Sequence, residues 1–204
     1  DNPLQAAVNF LAAQNLTPAG GKIYIGAGVY DLAAATNPAS DWSIEGGVWT
    51  AYPPKLTLVG MGSTLGSLDT TVLKGNLSLT NLGSVTVSNV LIQGGSLATG
   101  NNNGLMTLDR VQVLNSPSSC ISIGAHQGSV AASQVLVNNC GADGYGFYAD
   151  VSGGVKMAAS HMNAAEGTGI RLIAAEPVTL LNVSSHFNGG GGILFQSRPD
   201  TAPN

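Results

Sequence analysis

The sequence predicts an all-β chain: a right-handed, single-stranded parallel β-helix, a solenoid of roughly seven coils with a short N-terminal capping α-helix. Three observations predict it. Only 9% of the 204 residues are Asp, Glu, Lys or Arg, and there are 28 glycines. That is far below the quarter or so of charged residues in an average soluble domain, so amphipathic surface helices are scarce and turn formers abound. Apolar positions alternate with period two in segment after segment, which suits strands and not helices. Finally, the segments recur: Val87, Leu108, Ala132, Met157 and Leu180 hold the same place in successive repeats, at intervals of 21, 24, 25 and 23 residues. A period near 23 marks stacked supersecondary units that cannot bury an apolar face alone.

Taking the elements in order, residues 1–15 suit a capping helix. Asn2 can accept from the first free N–H groups, Pro3 fits the first turn, and Leu4, Ala7, Val8 and Leu11 form one apolar face. Gly20 and Gly21 break it and lead into the strand Lys22 to Ile25 and then Gly28 to Leu32. Residues 33–55 interrupt the repeat and are expected to form a loop insertion, being too long for an ordinary corner. A second ladder follows the first at Ile121, Phe147, Ile170 and Ile193, giving each coil at least two strands. Asn115, Asn139, Asn163 and Asn188 follow the first strand of their coils, where a sharp corner needs a left-handed backbone. They are expected to stack as an Asn ladder. The β-helix domain spans residues 1–196, and 197–204 form a loose tail. The start at Asp1 and this tail are those expected of a segment of a longer product.

The segments GGKIYIGAGVYDL and, from Leu56, LTLVGMG resemble the entry coils of the pectin-lyase-like superfamily of right-handed parallel β-helices. The resemblance implies the fold alone, because that superfamily spans lyases, hydrolases, epimerases, tailspikes, adhesins and structural surface proteins. The Asn-Thr-Asp, Asp-Asp and Arg-Ile-Lys signatures of its pectinolytic hydrolases do not occur, nor do clustered acidic calcium ligands of its lyases.

Hydrolysis of a polysaccharide needs two carboxylates flanking the bond. Asp143 and Glu166, 23 residues apart, are the best stacked pair, and His161 and His186, in matching SHMN and SHFN segments, are expected to stack beside them with Arg171 nearby. These five are weak catalytic candidates, since related coils repeat outward polar residues without any catalytic role. Trp42, Trp49 and Tyr52 in the insertion are candidates for contact with a glycan or a partner surface, or else cover a coil. Cys120 and Cys140 lie on the same side of consecutive coils, which leaves open a bridge or two buried thiols.

No phosphate-binding, dinucleotide or metal-ligating motif appears, so no cofactor and no metal are expected. A net charge of −4 without basic runs disfavours nucleic acid, and no apolar stretch is long enough to span a membrane. The expected role is a non-enzymatic, secreted or cell-surface module of an adhesive or filament-forming protein. The last coil ends without an amphipathic cap, so its partner is expected to be further coils or another copy stacking head to tail. The alternative is a tailspike-like protein that binds or degrades polysaccharide.

Overall fold

The computed structural model describes residues 21–31, 42–45, 55–141 and 144–198, with the backbone alone for 42–45. The chain contributes β1 (Gly21–Tyr24), β2 (Gly28–Asp31), β3 (Trp42–Glu45), β4 (Leu56–Val59), β5 (Thr71–Lys74) and β6 (Leu77–Thr80). The middle holds β7 (Val85–Gln93), β8 (Leu97–Gly100), β9 (Met106–Ser116), β10 (Ile121–His126), β11 (Val130–Ser133), β12 (Leu136–Cys140) and β13 (Phe147–Val151). It ends with β14 (Val155–Ala158), β15 (His161–Ala165), β16 (Thr168–Ala174), β17 (Val178–Leu181), β18 (Ser184–His186) and β19 (Gly191–Ser197). No helix occurs among the described residues, and the capping helix expected over 1–15 lies outside them.

Every strand pair is parallel, as in a β-solenoid whose neighbours are one coil apart. The first face stacks β1-β4-β7-β9-β11-β14-β17, and the third stacks β3-β6-β8-β10-β13-β16-β19. A second face, joined to the first at a corner, carries β2, β5, the distal halves of β7 and β9, then β12, β15 and β18. The segment expected as a pure loop insertion therefore supplies a strand: Trp42 pairs in register with Leu77, at the N-terminal end of the third face.

Both apolar ladders are present. Val87, Leu108, Ala132, Met157 and Leu180 are in register on the first face, and Ile121, Phe147, Ile170 and Ile193 on the third. Alternate residues of each inner strand are buried, so the ladders fill one continuous core. Burying a Leu or Ile side chain contributes about 1.5–3 kcal/mol. The strand register is consequently set by apolar side chains meeting inside the coil.

Corners are made by residues in the left-handed region. Among the described residues, twelve non-glycine residues have φ between 46° and 59°. Asn89, Arg110, Gln134, Ala159 and Asn182 share the corner between first and second faces. Gly75, Gly94, Asn115, Asn139, Ala164 and Phe187 share the next. The expected Asn ladder is only half right. Asn139 Nδ2 donates to Asn115 Oδ1 over 2.9 Å. Asn163, however, lies opposite Asn138 and His186 within the strands, so the corner of its coil falls on Ala164. Asn188 lies one residue past the corner, accepting from the Ala165 N–H and donating to Ser185 Oγ. The buried Val137 and Met162, in register with one another, fix this alignment, and the corner residue takes the backbone that results.

Cys120 and Cys140 form a disulfide with Cα atoms 5.4 Å apart, both side chains buried. It ties the end of β12 to the residue before β10 of the preceding coil.

Candidate functional site

Outward side chains form two concentrations of chemistry among the described residues. On the third face, Tyr145 and Tyr148 stack with ring centroids 5.3 Å apart and planes 24° from parallel. Arg171, in register with Tyr148 on the next coil, lies with its guanidinium 5.4 Å from the Tyr145 ring centre and donates through Nη1 to Tyr145 Oη. Its Nε is buried without a hydrogen-bond partner. Next to them Asp150 is ion-paired with Arg198. Burial, then the Asp150 charge, pushes the Tyr148 hydroxyl above its ordinary pKa, so it stays protonated at neutral pH. The cluster is thus a rigid aromatic platform with a guanidinium beside it. It can stack on a flat or sugar-like surface and donate hydrogen bonds to an anion.

On the first face, four successive coils enclose a groove of about 360 Å³ lined by Thr107, Asp109, Ser133, Lys156, Thr179 and Leu181 among others. The groove follows from short side chains: Ala131 lies between Thr107 and Lys156, and Ser133 and Ala158 lie between Asp109 and Leu181. Asp109 is engaged by Arg110 at 2.7 Å.

Among the described residues, His161, His186 and Arg171 do not come together. His161 lies opposite Leu136 and Ser184, and its Nδ1 is 2.5 Å from Ser184 Oγ. His186 lies opposite Asn163 and against the Phe187 ring. The two histidines therefore do not stack: the coil between them advances by 23 residues, as His161 pairs with Ser184, whereas they are 25 apart. Both occupy the second face, while Arg171 belongs to the third, turned to the tyrosines. Glu166 follows β15, its N–H bonded to the Cys140 carbonyl. Asp143, Trp49 and Tyr52 lie outside the described residues, and Trp42 occupies the start of β3.

Asp109 and Asp150, the acids of the two concentrations, are each ion-paired with an arginine. Among the described residues no three His, Cys, Asp or Glu side chains are grouped to hold a metal ion. Sequence reading found Arg171 but missed Tyr145, Tyr148, Asp150 and Arg198. The 23-residue step from Tyr148 to Arg171 was a readable signal for half of that cluster. Compared with family models, with curated proteins and with solved structures, the chain matches none of them, so no family is assigned to this parallel β-solenoid.

Proposed function

We propose that this chain is a non-enzymatic, extracellular structural module of a surface or adhesive protein: a rigid rod that associates through its open C-terminal end. In finer detail, the reading is a right-handed β-helix of roughly seven coils, of pectin-lyase-like type, with an N-terminal capping helix. The observation that carries it is the last coil. β17, β18 and β19 each pair on one side only, and Leu180, Ile193 and Phe195, which continue the inward ladders, are exposed. Such an edge is a template for further strands and is stable in water when covered. The buried disulfide suits an oxidising, secreted setting.

The test pairs sedimentation and electron microscopy of the purified chain with assays of depolymerisation on acidic polysaccharides. Association without product release is the expected result. Compact monomers that release oligosaccharides would defeat the proposal.

One observation favours a second reading, polysaccharide binding. The Tyr145, Tyr148 and Arg171 platform pairs an aromatic surface with a spare buried donor. Trp42, Trp49 and Tyr52 belong to the same reading as further contacts. A glycan array on which Tyr148→Ala and Arg171→Ala abolish an existing signal would support it, and an array without any signal would end it.

A further inference from the structure

Several glycines of this chain stand where the backbone leaves no room for a side chain. A Cβ at Gly60, Gly95 or Gly128 would lie 2.2, 2.1 or 1.9 Å from a neighbouring backbone atom. Gly100 on β8 and Gly124 on β10 are different. They pair in register on the outward side of the third face. A Cβ at Gly100 would meet nothing nearer than 3.6 Å and one at Gly124 nothing nearer than 4.0 Å, and neither residue has a left-handed backbone. Nor does the corner that follows them demand glycine. Thr80 holds the same place one coil earlier, and Asp150 holds it one coil later, directly after the register pair of Ile123 and Ala149. Glycine inside a strand costs stability, and a common reason to keep it is that another group must come close to the backbone.

These two glycines lie at the foot of the tyrosine platform. With Ala98 and Ser122, which are also outward and in register, they make a floor that carries no charge and no side chain longer than serine. Tyr148, in register with Ser122, rises beside it with Tyr145 stacked against its ring. This wall is held in place by the protein itself. The Tyr145 N–H donates to Ser119 Oγ over 3.0 Å, its carbonyl accepts from the Cys120 N–H over 3.0 Å, and its hydroxyl accepts from Arg171. Cys120 is in turn fixed by the buried disulfide. The result is a shallow recess with a rigid aromatic wall, a backbone floor and hydroxyl groups at its margin.

We infer that this recess is the subsite for one ring of a neutral saccharide. A sugar ring has an apolar C–H face and a rim of hydroxyls, and the recess matches both. Tyr148 supplies the aromatic surface, Ser122 and the Tyr148 hydroxyl supply polar partners, and the glycines let the ring lie against the strands. An acidic sugar fits less well, because the Asp150 carboxylate borders the floor at the place Gly124 holds one coil earlier, and like charges brought together weaken binding. Arg171 is a positioning residue here, since its Nη1 is given to Tyr145. The inference rests on the reading of the Tyr145, Tyr148 and Arg171 platform as a polysaccharide-binding surface, and adds to it the place and the class of the sugar.

The experiment titrates the full chain, followed by calorimetry and by amide shifts in NMR, with two panels: neutral oligosaccharides of glucose, mannose, xylose and galactose, and oligosaccharides of the corresponding uronic acids. At least one neutral oligosaccharide should bind and move the Gly100 and Gly124 amides. Gly100→Thr and Gly124→Thr place in the recess the residue that the neighbouring coil already carries as Thr80. They should keep or raise the urea midpoint and yet weaken binding at least about tenfold. Tyr148→Ala should weaken it as well. A lower midpoint in both glycine variants would show that the glycines serve the fold, and would overturn the recess. Unchanged affinity in the glycine variants, with loss in Tyr148→Ala, would also overturn the recess and leave the platform reading standing. Binding of the uronic-acid panel alone would overturn the neutral class and spare the platform. No binding from either panel would overturn both.

Discussion

At the scale of single residues, the corners carry the clearest cost. An L-residue with a Cβ in the left-handed region is disfavoured by about 1–2 kcal/mol, and alanine has no side-chain polar group to offset it. Ala159 and Ala164 sit there with φ of 46° and 52°. Glycine loses more chain entropy on folding, by about 0.5–1 kcal/mol, so the net gain is smaller than the strain relieved. Ala159→Gly and Ala164→Gly should each raise stability by a few tenths to about 1 kcal/mol in urea denaturation. The same changes inside a strand, as in Ala132→Gly, should lower it.

His126 gives a second prediction at this scale. It is 1% exposed, its Nε2 lies 3.3 Å from the Ser129 carbonyl and its Nδ1 has no partner. Burial is the main cause that lowers its pKa, outweighing the backbone hydrogen bonds. The unfolded state therefore takes up a proton first on acidification. The neutral ring's contribution is intact above the ordinary value of 6.5 and is lost as the pH falls below it toward the folded pKa. Urea midpoints should fall between pH 7.5 and pH 5, and His126→Gln should flatten that slope. An equal slope in the variant would remove His126 as its cause.

At the scale of elements, the ladders and the disulfide carry stability unevenly. Leu108 is fully buried between Val87 and Ala132, so Leu108→Ala should cost about 2–5 kcal/mol. Leu180 holds the same ladder place in the last coil but is 36% exposed. Leu180→Ala should cost markedly less in the isolated chain, and a comparison of the two denaturation curves checks this. The disulfide closes a loop 20 residues apart in sequence. On the chain-entropy account, replacing both cysteines with alanine should cost about 3 kcal/mol.

Legibility also divides at this scale. The inward ladders could be read because their spacing tracks one physical demand, apolar contact from coil to coil. The Asn ladder could be read only in part. A corner accepts Asn, Ala or Phe as long as the strands on either side keep register, so residue type alone does not locate it. The stacked histidines failed for the same reason: SHMN and SHFN look alike, but the strand pairing aligns His161 with Ser184.

For the whole molecule, a solenoid whose coils touch only their neighbours has a stability that varies along its axis. Middle strands such as β10 have both edges paired, with β8 and β13, while all seven residues of β19 are exposed. Amide exchange should be slowest in β7 to β13 and fastest in β17 to β19. Protection of β19 that rises with protein concentration would be the signature of the covered end.

The sequence by itself determined the solenoid and the identity of its inward ladders, because period-two alternation recurring at one interval admits few other ways to bury the same side chains. Only the tertiary structure decided the three-faced coil, the exact corner residues, the disulfide and the meeting of Arg171 with Tyr145. Those depend on register across coils, which differs by one or two residues from what segment likeness implies. The exposed apolar side chains of the last described coil became visible only when Leu181, Phe187 and Leu194, scattered along the chain, came together around it.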